Sequence, residues 1–117
     1  MIKTYNYKSL SFPVEDNKKV YLTVKYVSDG NSSHTVVNKP GHNDPEIEDQ
    51  GQVFIDIGAN LRSETTYVVT SLDNFIPQVD TIALDYYLNE QLIQRHSNPK
   101  SESDEPIVIL HINFPEK

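Results

Sequence analysis

Eight residues, Val20 to Val27, constrain the fold of this chain more than any other stretch. Val20, Leu22, Val24 and Tyr26 fall on one side of an extended backbone, and Tyr21, Thr23, Lys25 and Val27 on the other. An apolar residue at every second position matches the two-residue repeat of a strand with one dry face, not the period of about 3.6 of a helix. Asp29-Gly30 follows, and then the β-rich run Thr35-Val36-Val37. Asp-Gly supplies the positive φ angles of a tight turn, so the pattern predicts a hairpin here.

The alternation recurs to the end of the chain. Val53, Ile55 and Ile57 share one face, as do Ile82, Leu84, Tyr86 and Leu88, and then Val108, Leu110, Ile112 and Phe114. Thr65 to Leu72 is rich in β-branched residues. Near the start, Tyr5 and Tyr7 are out of phase with Leu10 and Phe12, which predicts a bulge near Lys8-Ser9. Pro13 marks the same segment as an edge strand or one that stops there. Asn89-Glu90 reads as a two-residue turn between strands. Leu84, Leu88 and Leu92 also sit at helical spacing, with Asp80 as a cap, so residues 84–95 carry a competing helical reading. The β preference of Thr81, Ile82, Tyr86, Tyr87 and Ile93 favours strands there.

About seven or eight short strands, each with inward aliphatics, predict an all-β fold of two packed antiparallel sheets, a β-sandwich. A chain of 117 residues is the size of one such domain, spanning 1–117. The Tyr86-Tyr87-Leu88-Asn89-Glu90-Gln91-Leu92-Ile93 segment resembles the strand–Leu-Asn-x-x–strand hairpin of immunoglobulin-like domains. The resemblance implies an immunoglobulin-like sandwich used for binding or scaffolding, and it names no site residues. The Cys and Trp core residues of antibody domains are absent.

Composition narrows the function. The chain lacks cysteine, so it has neither disulfides nor thiol chemistry, and a reducing compartment suits it. Its first residues have no apolar leader segment, and no apolar run approaches the roughly 20 residues of a membrane helix. A cytoplasmic location is expected, unless a leader has been removed. Ten basic against seventeen acidic residues give a net charge of −7. With the basic residues scattered, nucleic acid and anionic membrane surfaces are disfavoured partners.

Val53-Phe-Ile-Asp-Ile-Gly-Ala-Asn60 draws two comparisons with enzymes. It looks like the first motif of S-adenosylmethionine-dependent methyltransferases, a strand followed by a Gly-rich turn into a helix. The next segment, Thr65 to Thr70, is however strand-like. It also resembles the Asp-Thr-Gly-Ala motif of retroviral-type aspartic proteases, which would make Asp56 a catalytic carboxylate shared across a dimer axis. Ile57 stands where that family has a hydroxyl.

The segment 38–52 reads as a long loop, with His42, Asp44, Glu46, Glu48 and Asp49 as candidate ligands for a divalent cation. Calcium, which takes six to eight oxygens, is the fitting ion. Pro45 interrupts the EF-hand spacing. No pair of the four histidines has zinc-ligand spacing, and a Gly-x-Ser-x-Gly elbow is missing. With seven Tyr and no Trp, the exposed-aromatic candidates for an interaction surface are Tyr5, Tyr7, Tyr21 and Tyr67.

The expectation is therefore a non-enzymatic protein–protein interaction or structural module without a cofactor, in a larger assembly or a homo-oligomer. A sheet edge or the polar loops 38–52 and 96–106 would carry the contact. The alternative is a ligand-binding module for carbohydrate or calcium, using loop 38–52 and exposed tyrosines. An aspartic protease centred on Asp56 is the remote alternative.

Overall fold

The computed structural model describes residues 2–41 and 43–117. Among them nine strands form two sheets. The strands are β1 (Thr4–Ser11), β2 (Lys19–Tyr26), β3 (Asn31–Asn38), β4 (Glu46–Glu48), β5 (Gly51–Ile57), β6 (Thr66–Asn74), β7 (Thr81–Leu88), β8 (Gln91–Pro99) and β9 (Ile107–Asn113). A single helical turn, α1 (Gly58–Leu61), links β5 to β6. One sheet has the order β1-β9-β6-β3-β4 and the other β5-β2-β7-β8. Their inner faces pack as a sandwich, which is the all-β architecture the alternation predicts.

The predicted inward residues form the core. Val20, Leu22 and Val24 of β2, Ile82, Leu84, Tyr86 and Leu88 of β7, and Val108, Leu110 and Ile112 of β9 are all fully buried. Residues 84–95 form two strands, not a helix: β7 pairs with β8 along its length and with β2 on its other side, with Ile82, Leu84, Tyr86 and Leu88 facing the core. The predicted bulge is present: the β1 register shifts between Tyr7 and Leu10, with Ser9 at φ 64°. The extra residue lets both Tyr7 and Leu10 pack against the core.

Four expectations are corrected. The Asp29-Gly30 turn is not a hairpin: β2 and β3 lie in opposite sheets, so the turn carries the chain across the sandwich. Gly30 has φ +77°, and a Cβ there would lie 2.3 Å from Ile76 Cγ1. The sheets are not wholly antiparallel, because β1 pairs with β9 in parallel. Segment 38–52 is not one long loop: it holds β4, paired with β3, and the start of β5. Segment 96–106 is shorter as a loop too, since β8 continues to Pro99.

Each sheet ends on two edge strands. On one side of the sandwich β4 runs directly into β5 through Asp49-Gln50, so the chain itself closes that side. On the other side the edges are β1 and β8. There the two buried residues of β8, His96 and Asn98, are polar, whereas the core residues of β2 and β7 are mostly aliphatic.

Candidate functional site

Three of the candidate metal ligands, Glu46, Glu48 and Asp49, are held by protein groups. Glu46 and Glu48 flank His34 of the neighbouring strand, with Nε2 at 2.7 Å from Glu46 and Nδ1 at 2.6 Å from Glu48. The hydrogen bond that the Glu48 carboxylate accepts, followed by its charge and by Glu46, raises the His34 imidazole above its ordinary value despite some desolvation. Asp49 adopts φ 56° and accepts from the Ser33 N–H at 3.1 Å and the Tyr26 hydroxyl at 3.0 Å. Its carboxylate thus pins the β4–β5 turn to β2 and β3. Asp44 is exposed, and His42 lies outside the described residues. Among the described residues no group of His, Asp and Glu is arranged to hold a metal ion.

Asp56 is likewise engaged. Its Oδ1 accepts from Asn60 Nδ2 at 2.8 Å and from the Ile57 N–H at 2.8 Å, and its Oδ2 lies 3.2 Å from Lys39 Nζ. Burial pushes this carboxyl up, but the three donors together hold it below its ordinary value. The geometry makes Asp56 a lock that fastens α1 and residues 39–41 to the end of β5. Gly58 beside it is fixed by space: a Cβ there would stand 2.2 Å from the Glu15 carbonyl oxygen.

The four candidate tyrosines divide. Tyr5 and Tyr7 are not on an outer face. The bulge keeps them on the inner side of β1, where both rings meet buried His96 with centroids 4.8 and 5.8 Å away. Burial, then the Glu102 carboxylate that accepts from its hydroxyl, pushes the Tyr5 phenol up to about 12. Tyr67 does lie on the outer face of the five-stranded sheet, edge-on to His111 at 5.0 Å. Tyr21 lies on the outer face of the four-stranded sheet, with its ring 5.5 Å from that of Phe54.

Tyr21 belongs to a row that sequence reading missed. Phe54 on β5 pairs with Tyr21 on β2, and Tyr87 on β7 pairs with Leu92 on β8. Tyr87 pairs with Thr23, so the two couples sit one diagonal step apart across the face. Phe54 is 44% exposed and Leu92 48%, large apolar groups left facing water. Lys25 Nζ sits 5.4 Å above the Tyr87 ring. Tyr21 lines an open depression of about 500 Å³ together with Asn17, Lys18, Lys19, Gln52, Asn89 and Glu90. The signal was present in sequence, since Phe54 and Leu92 fall on the outward phase of their strands. Only the strand order sets them in line.

The sheet edges are less open to partners than the faces. On β8 the Gln94 amide donates to the Arg95 carbonyl at 2.8 Å, and the Asn98 amide donates to the Pro99 carbonyl at 2.8 Å. The Ser97 N–H is directed at the Tyr7 oxygen. Side chains thus occupy backbone groups along this edge strand, a protection against edge-to-edge pairing. On the far side β4 is three residues long and carries two glutamates.

Comparison with protein-family models, curated proteins and solved structures finds no match for this chain. No helix among the described residues is long and apolar enough to cross a membrane.

Proposed function

We propose that this protein is a non-enzymatic interaction module that docks another protein on the outer face of its β5-β2-β7-β8 sheet. The observation that carries this reading is the Phe54–Tyr21 and Tyr87–Leu92 row, aromatic and aliphatic area held rigid on strands. Such side chains contribute contact area at low entropic cost. The row is bordered by Lys18, Lys19 and Lys25 on a protein whose net charge is −7, so the face suits a partner with an acidic rim. Glu46, Glu48 and Asp49 and the β8 edge fit this role less well, because they are already bonded within the chain.

Within this reading the compartment is the cytoplasm, and the function needs neither calcium nor another cofactor. An immunoglobulin-like relation has less support than the sandwich itself. In that fold the last two strands are neighbours in one sheet, whereas β8 and β9 lie in opposite sheets. The depression beside Tyr21, lined by amides, two lysines and the Glu90 carboxylate, favours carbohydrate as the second reading.

Affinity capture from the native source tests the proposal. Wild-type protein retains a partner that the Phe54→Ala, Leu92→Ala double variant loses by at least about tenfold, with its melting temperature unchanged. Undiminished capture by the double variant rejects the face. Sedimentation of both proteins identifies a second copy as the partner. Binding to a glycan panel that Tyr21→Ala alone abolishes selects the carbohydrate reading.

A further inference from the structure

We propose that His96 is a pH-operated latch on the β1–β8 side of the sandwich: while neutral it ties the edge strands of the two sheets together, and on protonation it lets them part. His96 is fully buried and stands on β8, while its partner Tyr7 stands on β1 of the other sheet. The opposite side of the sandwich is closed by the continuous chain of the β4–β5 turn. On this side the two edge strands, β1 and β8, are far apart in sequence and meet through side chains.

The hydrogen bonds fix the state of the ring. Asn98 Nδ2 donates to the Pro99 and Ser103 carbonyls, at 2.8 and 3.0 Å. Asn98 Oδ1 therefore faces His96 Nε2 as an acceptor, at 2.7 Å, so Nε2 carries the proton. Nδ1 then accepts from the Tyr7 hydroxyl at 2.8 Å. A neutral ring satisfies every member of the chain. A second proton on Nδ1 would point at the Tyr7 oxygen, force the Tyr7 hydroxyl hydrogen to turn away from the ring and leave a buried cation.

Among the described residues, no carboxylate faces the ring to compensate that charge. From β1 it meets the phenols of Tyr5 and Tyr7. From β7 the inward neighbours are Leu84 and Tyr86, whose hydroxyl is turned to Thr70. From β9 the inward residues are Val108 and Leu110. The Glu102 carboxylate lies beyond Tyr5, bonded to that hydroxyl and to Lys3 Nζ at 2.9 Å. Lys100 turns to Asn74 and Ile76, and Arg95 points to the outer face, bound to Asp85. Burial accordingly lowers the His96 imidazole below its ordinary value of 6.5, opposed only in part by Asn98. The folded state disfavours the proton that the unfolded state accepts. The latch therefore contributes in full above about pH 6.5 and is lost as pH falls towards the lowered value.

Amide hydrogen exchange of the full chain, corrected for intrinsic rates, tests this at about pH 7.5 and about pH 5. Protection in β1 and β8 falls by about tenfold or more at the lower pH, while β3 and β6 hold theirs. His96→Gln removes the difference between the two pH values. Equal change across all strands, no change, or a pH response that survives His96→Gln overturns the proposal. Should that variant not fold, the wild-type His96 ring is titrated by NMR, and a midpoint at or above 6.5 with β1 still protected overturns it equally.

Discussion

The same residue type can serve opposite ends on one face of one strand. Thr66 and Thr70 both point inward from β6, and both are fully buried. Thr70 Oγ1 receives the Tyr86 hydroxyl at 2.7 Å and lies 2.9 Å from Thr35 Oγ1, joining three strands and both sheets. Thr66 Oγ1 has no partner among the described residues. A buried hydroxyl left unpaired costs about 1–3 kcal/mol, whereas replacing an unpaired one with a methyl group restores that loss. Thr70→Val is expected to destabilise the protein by about 1–3 kcal/mol, since it strands the Tyr86 hydroxyl. Thr66→Val is expected to be neutral or to stabilise by up to about 1 kcal/mol. Urea unfolding of the two variants measures both, and equal losses would contradict the hydrogen-bond assignment. Nothing in the sequence separates these two threonines, because the distinction depends on where Tyr86 of the other sheet lies.

At the scale of elements, the β7–β8 hairpin is legible through its Asn89-Glu90 turn, although its strands also carry helical spacing. Asn89 and Glu90 adopt φ 47° and 69°, the two positive angles of a type I′ turn. Asn tolerates this region and Glu does not. The Asn89 side chain accepts from the Tyr21 N–H at 2.9 Å and donates to the Lys19 carbonyl at 3.0 Å, which extends β2 past its last ladder pair with β7. Glu90→Gly is therefore expected to stabilise by about 1 kcal/mol by relieving the positive φ. Asn89→Ala is expected to cost about 1–3 kcal/mol through the unpaired backbone groups of β2. Thermal unfolding of the pair checks the opposite signs. The Asp29-Gly30 turn carried an equally strong local signal and was misread. A turn preference states that the chain reverses, and it does not state which sheet the next strand joins.

At the scale of the molecule, the titrating groups that hold the sandwich act in two acid windows. Asp85 is held below its ordinary value of 3.8 chiefly by the hydrogen bonds of Arg95, at 2.6 and 2.8 Å, and its side chain is 7% exposed. Its depressed folded value means that its contribution is complete above about 3.8 and disappears as pH falls through the folded value. His96 acts in the window below about 6.5, whereas exposed His34, raised by its glutamates, loses its small contribution as pH rises. Melting temperature against pH should therefore show a plateau near neutrality and two separate declines on the acid side. His96→Gln should erase the upper decline and leave the lower one, and a single decline in the wild type would refute the scheme.

The alternation of side chains determined the strands, their buried faces and the bulge in β1. Those are local consequences of a backbone whose side chains point to opposite sides in turn. Strand order came only from tertiary structure, because sheet pairing joins residues as far apart as Thr4 and Ile107 and leaves no mark on nearby sequence. With the order came the functional candidates. Strand order aligned Phe54, Tyr21, Tyr87 and Leu92 on one face, turned Tyr5 and Tyr7 inward onto His96, and bound the acids of 46–49 to β2 and β3.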